Sequence, residues 1–136
     1  MSKEQNIAAQ MIGGEIALSH DFDRFDEVFA SDMVDHDPAP DQAAGVEGIK
    51  QYWRSLSEAF PDFRLDVDAF VADEEYVTIA CRLSGTHKGS YAGHAPTGKH
   101  FEVRSLQVGK FENGVIVERW GCTDILGILT QLGLII

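Results

Sequence analysis

The stretch ENGVIVERWGCTDILGILTQLG, residues 112 to 133, decides the fold because three kinds of structure follow one another in it. Glu112-Asn113-Gly114 is a hairpin signal, since Asn and Gly tolerate the positive φ angles of a tight turn. Val115 to Cys122 is rich in β-branched and aromatic residues and reads as the strand returning from that turn. From Asp124 the pattern becomes an apolar helical run ending about Leu132, with Asp124 or Thr123 as its N-cap. Strand side chains alternate with period two, so Glu118, Trp120, Cys122 and Asp124 are expected on one face. On the hairpin partner Ser105, Gln107 and Gly109 share a face, and Arg82 interrupts the apolar strand TIACRLSG. Polar groups in such strands must be paired or line a cavity.

Upstream of this hairpin, FRLDVDAFVA alternates apolar and polar residues, and EEYVTIACRLSGTHKG and KHFEVRSLQVGKFE are further strand-like runs. Before Pro61 the period changes to that of helices. VEGIKQYWRSLSEAF sets Ile49, Trp53, Leu56 and Phe60 on one face, and Pro61 stops it. MVDHDPAPDQAAG, with its prolines and glycine, reads as a loop, and DFDRFDEVFASD as a short helix burying Phe22, Phe25, Val28 and Phe29. Lys3 to Ser19 carries Ile7, Ala8, Met11, Ile12, Ile16 and Ala17 at helical spacing, interrupted by Gly13-Gly14. Helices followed by a mostly antiparallel sheet and a short last helix make an α+β domain, expected as a single unit over residues 1–136.

The chain has 136 residues, 44% hydrophobic and 24% charged, with 22 acidic against 11 basic side chains and a formal charge of -11. Without a Lys/Arg cluster that balance disfavours nucleic acid as a partner, and a neutral or apolar small molecule is the easier guest. No stretch is apolar and long enough to span a bilayer, and MSKEQNIAAQMIGG lacks a signal-peptide core, so no membrane partner and a cytoplasmic location are expected. Cys81 and Cys122 have no framework spacing and are read as buried thiols.

Three local matches do not carry chemistry. GHAPTGKH resembles a phosphate loop, but His100 stands where Ser or Thr would reach magnesium, and the run leads into a strand instead of a helix. Asp35-His36-Asp37 and the trio His87, His94 and His100 match no metal-ligand spacing. There is no G-x-S-x-G elbow and no cysteine in a nucleophile context. No metal and no cofactor are therefore expected.

Seven segments together carry a family resemblance: DHDP (35–38), GVEGIK (45–50), AFPD (59–62), GTHKG (85–89), PTGK (96–99), ENGVIVERW (112–120) and DILGILTQLG (124–133). In this order and spacing the chain resembles the SnoaL-like polyketide cyclases of the nuclear transport factor 2-like superfamily, from about Asp21 onward. The resemblance implies a cone, with three N-terminal helices packed in a strongly curved, mixed but mainly antiparallel sheet, and oligomers, a homodimer here, built through sheet faces. It also implies cofactor-free intramolecular aldol closure, with Asp124 matching the aspartate that serves as acid/base at the end of the last strand.

That chemistry needs a base for a carbon flanked by carbonyls and a donor for the oxygen being attacked. Asp124, His36 and Gln107 are the catalytic candidates; Trp53, Arg82, His87 and Trp120 are the candidates for binding a small apolar or aromatic carbonyl compound. Several relatives carry histidine where this chain has Gln107. The pocket mouth is expected near His36, Trp53, Gln107, Trp120 and Asp124, with Trp120 as an apolar wall beside the carboxylate. A cyclase or isomerase is one reading, and a binding module without turnover is the alternative, because fold alone does not settle function.

Overall fold

A computed structural model describes residues 2–135. Helix α1, Lys3–Ser19, opens on a capping box: Ser2 Oγ accepts from the Gln5 amide, and the Gln5 side chain accepts from the Ser2 amide. The helix runs through Gly13-Gly14 without a break. It buries Asn6, Gln10, Ile16 and Ala17, whereas Met11 is 59% exposed, so the apolar spacing marks the helix but not its inner face.

The next segment departs from the expectation of a helix followed by a loop. A six-residue 3₁₀ turn, Phe22–Glu27, buries Phe22 and Phe25, and then Phe29–Asp35 forms strand β1. Phe29 and Met33 are buried there, four apart, in a spacing that sequence alone reads as helical. Tertiary pairing decides otherwise: β1 lies parallel to the last strand, with Val34 opposite Glu118 and Asp35 opposite Arg119. Helix α2, Gly45–Ala59, follows, and its inward side carries Ile49 and Leu56. Trp53 bridges the two apolar clusters of the core.

Strands β2 (Arg64–Ala72), β3 (Tyr76–Thr86), β4 (His100–Glu112) and β5 (Val115–Thr123) form an antiparallel meander, and the sheet order is β1-β5-β4-β3-β2. The β4–β5 turn has the predicted chemistry, with Asn113 at φ 50 and Gly114 at φ 83. Helix α3, Ile125–Gln131, packs Ile128 over β4, and Leu132 just beyond it joins the same cluster with Phe60, Phe101 and Val103. Cys81 is buried, but Cys122 is exposed, which corrects the expectation of two buried thiols.

The register of β5 holds the feature that positions the site. Phe111 lies opposite Ile116, yet Lys110 lies opposite Glu118, so Val117 is an extra residue with no partner. A bulge of this kind bends the strand and reverses which side chains face inward beyond it. Phe101, Val103, Gly109 and Phe111 are buried on the concave side of β4. Across from that face stand Arg119, Gly121 and Thr123, while Glu118, Trp120 and Cys122 fall on the convex side with Lys110, Val108 and Leu106.

Candidate functional site

The bulge divides the expected site residues between two faces. Inside the sheet's curve, Gln107 and its neighbours form a connected polar strip on a surface otherwise made of apolar groups. Arg119 Nε donates to Gln107 Oε1 at 3.1 Å, and Arg119 Nη1 donates to Asp35 Oδ1 at 2.9 Å. The other Asp35 oxygen accepts from Gln42 Nε2 at 2.9 Å, and Oδ1 also accepts the Asp37 amide at 3.0 Å. Gln42 is held in turn, since its Oε1 accepts the Ala39 amide. One step along the hairpin, Ser105 and Thr123 hydroxyls meet at 2.8 Å. The Asp35 side chain is only 7% exposed and that of Arg119 19% exposed, so this ion pair is largely withdrawn from water. Gly121 makes it possible, because a Cβ there would collide with Arg119 Nη2.

Two tyrosines continue the strip. Burial raises the Tyr52 hydroxyl above its usual pKa, with Arg119 pulling it down and Asp35 pushing it up, so the phenol stands close to the ion pair. Tyr91, packed on Phe60, is pushed up to about 12 by burial first and then by Tyr52. Both phenols are therefore neutral donors. Burial likewise raises the Cys81 thiol, opposed by a hydrogen bond with Ser105. Trp53 lies on the same side, half-buried between Tyr52, Phe25 and Phe63.

Asp124 sits where β5 gives way to α3, its amide donating to the Arg104 carbonyl. It follows Thr123 directly and caps α3, its Oδ1 accepting the Gly127 amide at 2.8 Å. The cap uses one oxygen, and the side chain is exposed. Trp120 is not beside it. That ring lies on the convex face, stacked on His36 with centroids 4.7 Å apart, and His36 Nε2 meets Glu118 Oε1 at 2.9 Å. The Glu118 carboxyl is held below its usual value, first by the His36 hydrogen bond. Arg82 is also on the convex face, paired with Asp68 at 3.1 Å and with Glu102. The expected grouping of His36 and Trp120 with Gln107 and Asp124 around one mouth is therefore not found, and the Val117 bulge is the reason.

His87 has a third placement. It is fully buried at the end of β3, where Nδ1 accepts the Thr97 amide at 3.1 Å and the backbone pairs with Lys99 and Gly98. GTHKG and PTGK are thus the two sides of one stapled loop. The triad Asp35-His36-Asp37 parts in three directions: into the concave face, out to Trp120, and onto the Gly121 amide through Asp37 Oδ2 at 2.8 Å.

Against known proteins, the family model for the SnoaL-like polyketide cyclases matches residues 9–132. The chain belongs to the SnoaL-like polyketide cyclase family. IdmH of Streptomyces antibioticus, a candidate polyketide cyclase, is 30% identical, with a TM-score of 0.80 over 96% of this chain and 98% of that one. TsrD of Streptomyces laurentii is 21% identical with a TM-score of 0.90, and 99% of each chain is covered. AclR of Streptomyces galilaeus, a candidate hydroxylase, is 22% identical with a TM-score of 0.86 over 99% of this chain and 100% of that one. The last two show the shared fold alone. None of the curated proteins compared matches the chain. Within this family, the residues that sequence reading passed over are Arg119, Asp35 as a single residue, Tyr52 and Tyr91. A signal for Arg119 existed in Gly121, two positions on, which leaves room for a folded-back side chain on the same face.

Proposed function

We propose that the chain is a cofactor-free acid/base enzyme acting on a small apolar carbonyl compound bound against the concave face, by ring closure or a related proton transfer. Asp124 is the base in this reading. The carrying observation is that its cap occupies Oδ1 alone, at the junction of β5 and α3, so Oδ2 remains available to take a proton. Asp35 is the poorer candidate, because both of its oxygens already accept charge-assisted or amide hydrogen bonds. The neutral phenols and the Gln107 amide supply donors for an oxygen that gains charge as the proton leaves.

A binding module without turnover is the second reading, and the exposure of Asp124 favours it. Hydrogen–deuterium exchange at the activated carbon of an aromatic β-keto ester, followed by NMR, separates the two. Under the first reading the protein accelerates exchange over buffer, and Asp124→Asn, which keeps most of the cap, lowers the acceleration by about two orders of magnitude. Equal exchange in both proteins supports the binding module.

A homodimer through the convex face belongs to the same reading. Leu106 is 54% exposed, Val71 67% and Val34 49%, and all three lie on that face by their pairing partners. An apolar surface on one open sheet face is what a two-fold partner would cover. Light scattering across a dilution series tests it, and a monomer at every concentration would remove it.

A further inference from the structure

We infer that Arg119 is a positioning residue: it turns the Gln107 carboxamide so that its Nε2 group faces the recess, making Gln107 a hydrogen-bond donor for a carbonyl or enolate oxygen. The inference rests on the proposed reading of the concave face as the binding side, and it assigns the atom that meets the ligand.

Each orientation in the strip follows from the one before it. The Ala39 amide can only donate, so Gln42 must offer Oε1 to it and point Nε2 at Asp35. Asp35 then holds Arg119 through Nη1 at 2.9 Å. Guanidinium groups only donate, so the atom of Gln107 that lies 3.1 Å from Arg119 Nε is its oxygen. Which way a glutamine amide points is otherwise ambiguous, but here a chain of obligate donors starting at the backbone decides it. The side-chain polar atoms that are both sealed and unpartnered among the described residues are Asn6 Oδ1, Gln10 Oε1 and His87 Nε2. Gln107 Nε2 is not one of them and makes no protein hydrogen bond among the described residues, and Gln107 is half-buried, so its two N–H groups keep access to solvent on the concave side.

The chemistry of that donor selects the ligand. Arg119 is neutralised by Asp35, so the site offers oriented N–H dipoles and not a free cation. Such a site suits a ligand oxygen that is neutral on arrival and becomes negative in the reaction. It does not suit a ligand hydroxyl seeking an acceptor, which would find the wrong end of the amide.

The test uses 2-naphthol, whose neutral and ionised forms differ in absorbance, at a fixed pH where the free probe is mostly un-ionised. Wild-type protein should bind the naphtholate in preference to the naphthol, so the bound probe is more ionised than the free one. Gln107→Glu keeps an acceptor for Arg119 but presents oxygen to the recess, and it should reverse that preference, weakening naphtholate binding by about tenfold or more. Arg119→Lys keeps the charge opposite Asp35 and loses the planar Nε donor; it should shrink the wild-type preference while neutral naphthol binding changes little. If that variant does not fold, Asp35→Asn with Arg119→Gln replaces it, with the same expectation. A wild-type protein that binds the neutral form equally or better, that binds neither form, or whose preference survives loss of Arg119 overturns the inference. The exchange assay reads Asp124 and the naphtholate preference reads Gln107, so failure of one and failure of the other are separate results.

Discussion

The two faces of the β4–β5 hairpin are built from one stretch of chain and do opposite things. On the concave face Gln107 and Arg119 are tied into hydrogen bonds that reach Asp35 and Gln42, and beside them the Ser105 and Thr123 hydroxyls bond to each other. On the convex face Trp120 stacks on His36 beside Glu118 and Lys110, next to exposed Leu106. A single unpaired residue, Val117, decides which side chain belongs to which face. The lesson is that in a curved sheet the inventory of a site depends on register, and one bulge exchanges its members wholesale.

The largest break in this comparison comes from removing the bulge. Deleting Val117 would restore regular pairing with Glu118 still opposite Lys110 and Trp120 still opposite Val108, so each face keeps its members, while the bend is lost and with it the fit to β1, whose register shifts beside the bulge between Phe29 and Val34. We expect the deletion to cost about 4 kcal/mol or more, enough to abolish a cooperative urea transition. A variant that melts like the wild type would mean that the register is not fixed as described.

Next in size is the ion pair. Arg119→Met leaves the Asp35 carboxylate buried without its cation, at a cost of about 3–5 kcal/mol in urea unfolding. Adding Asp35→Asn should recover much of the loss, since removing both partners spares the uncompensated charge. If the single and double variants are equally destabilised, the pair is not the reason for the cost.

At the junction of β5 and α3, Asp124→Ala should lose about 1 kcal/mol of stability through the α3 cap, and Asp124→Asn only a few tenths. Equal thermal shifts for the two would show that the cap carries no weight. The smallest effect lies on the convex face. The Glu118 carboxyl is depressed, chiefly by the His36 hydrogen bond, so its contribution is present above the unfolded carboxylate pKa and disappears as pH falls through the lower folded value. Glu118→Gln should therefore differ from wild type near neutral pH and converge with it in acid. A difference that grows on acidification would contradict this.

Much of the fold was legible in the sequence because it rests on local signals. The Asn113-Gly114 turn, the Pro61 stop, the α2 face of Ile49, Trp53 and Leu56, and the α3 cap each depend on a few neighbouring residues. β1 was hidden because Phe29 and Met33 are spaced as on a helix, and because its identity comes from a parallel partner far along the chain. The site was half legible for the same reason. Gln107 and Asp124 stand out as polar residues in their runs, but VIVERWGC alternates smoothly, and nothing in it announces that Val117 lacks a partner. Placing Trp120 at the mouth followed from period two applied without the bulge.

The chain's two tryptophans report one face each, which gives the most direct measurement. With 5-fluorotryptophan incorporated and the two ¹⁹F resonances assigned by Trp53→Phe, 2-naphthol is titrated in, and separately the protein is diluted. The concave recess predicts that the probe shifts Trp53 and leaves Trp120 in place, while dilution shifts Trp120 and leaves Trp53. A probe that moves the Trp120 resonance with Trp53 unchanged would put the binding face on the wrong side of the sheet and contradict the account.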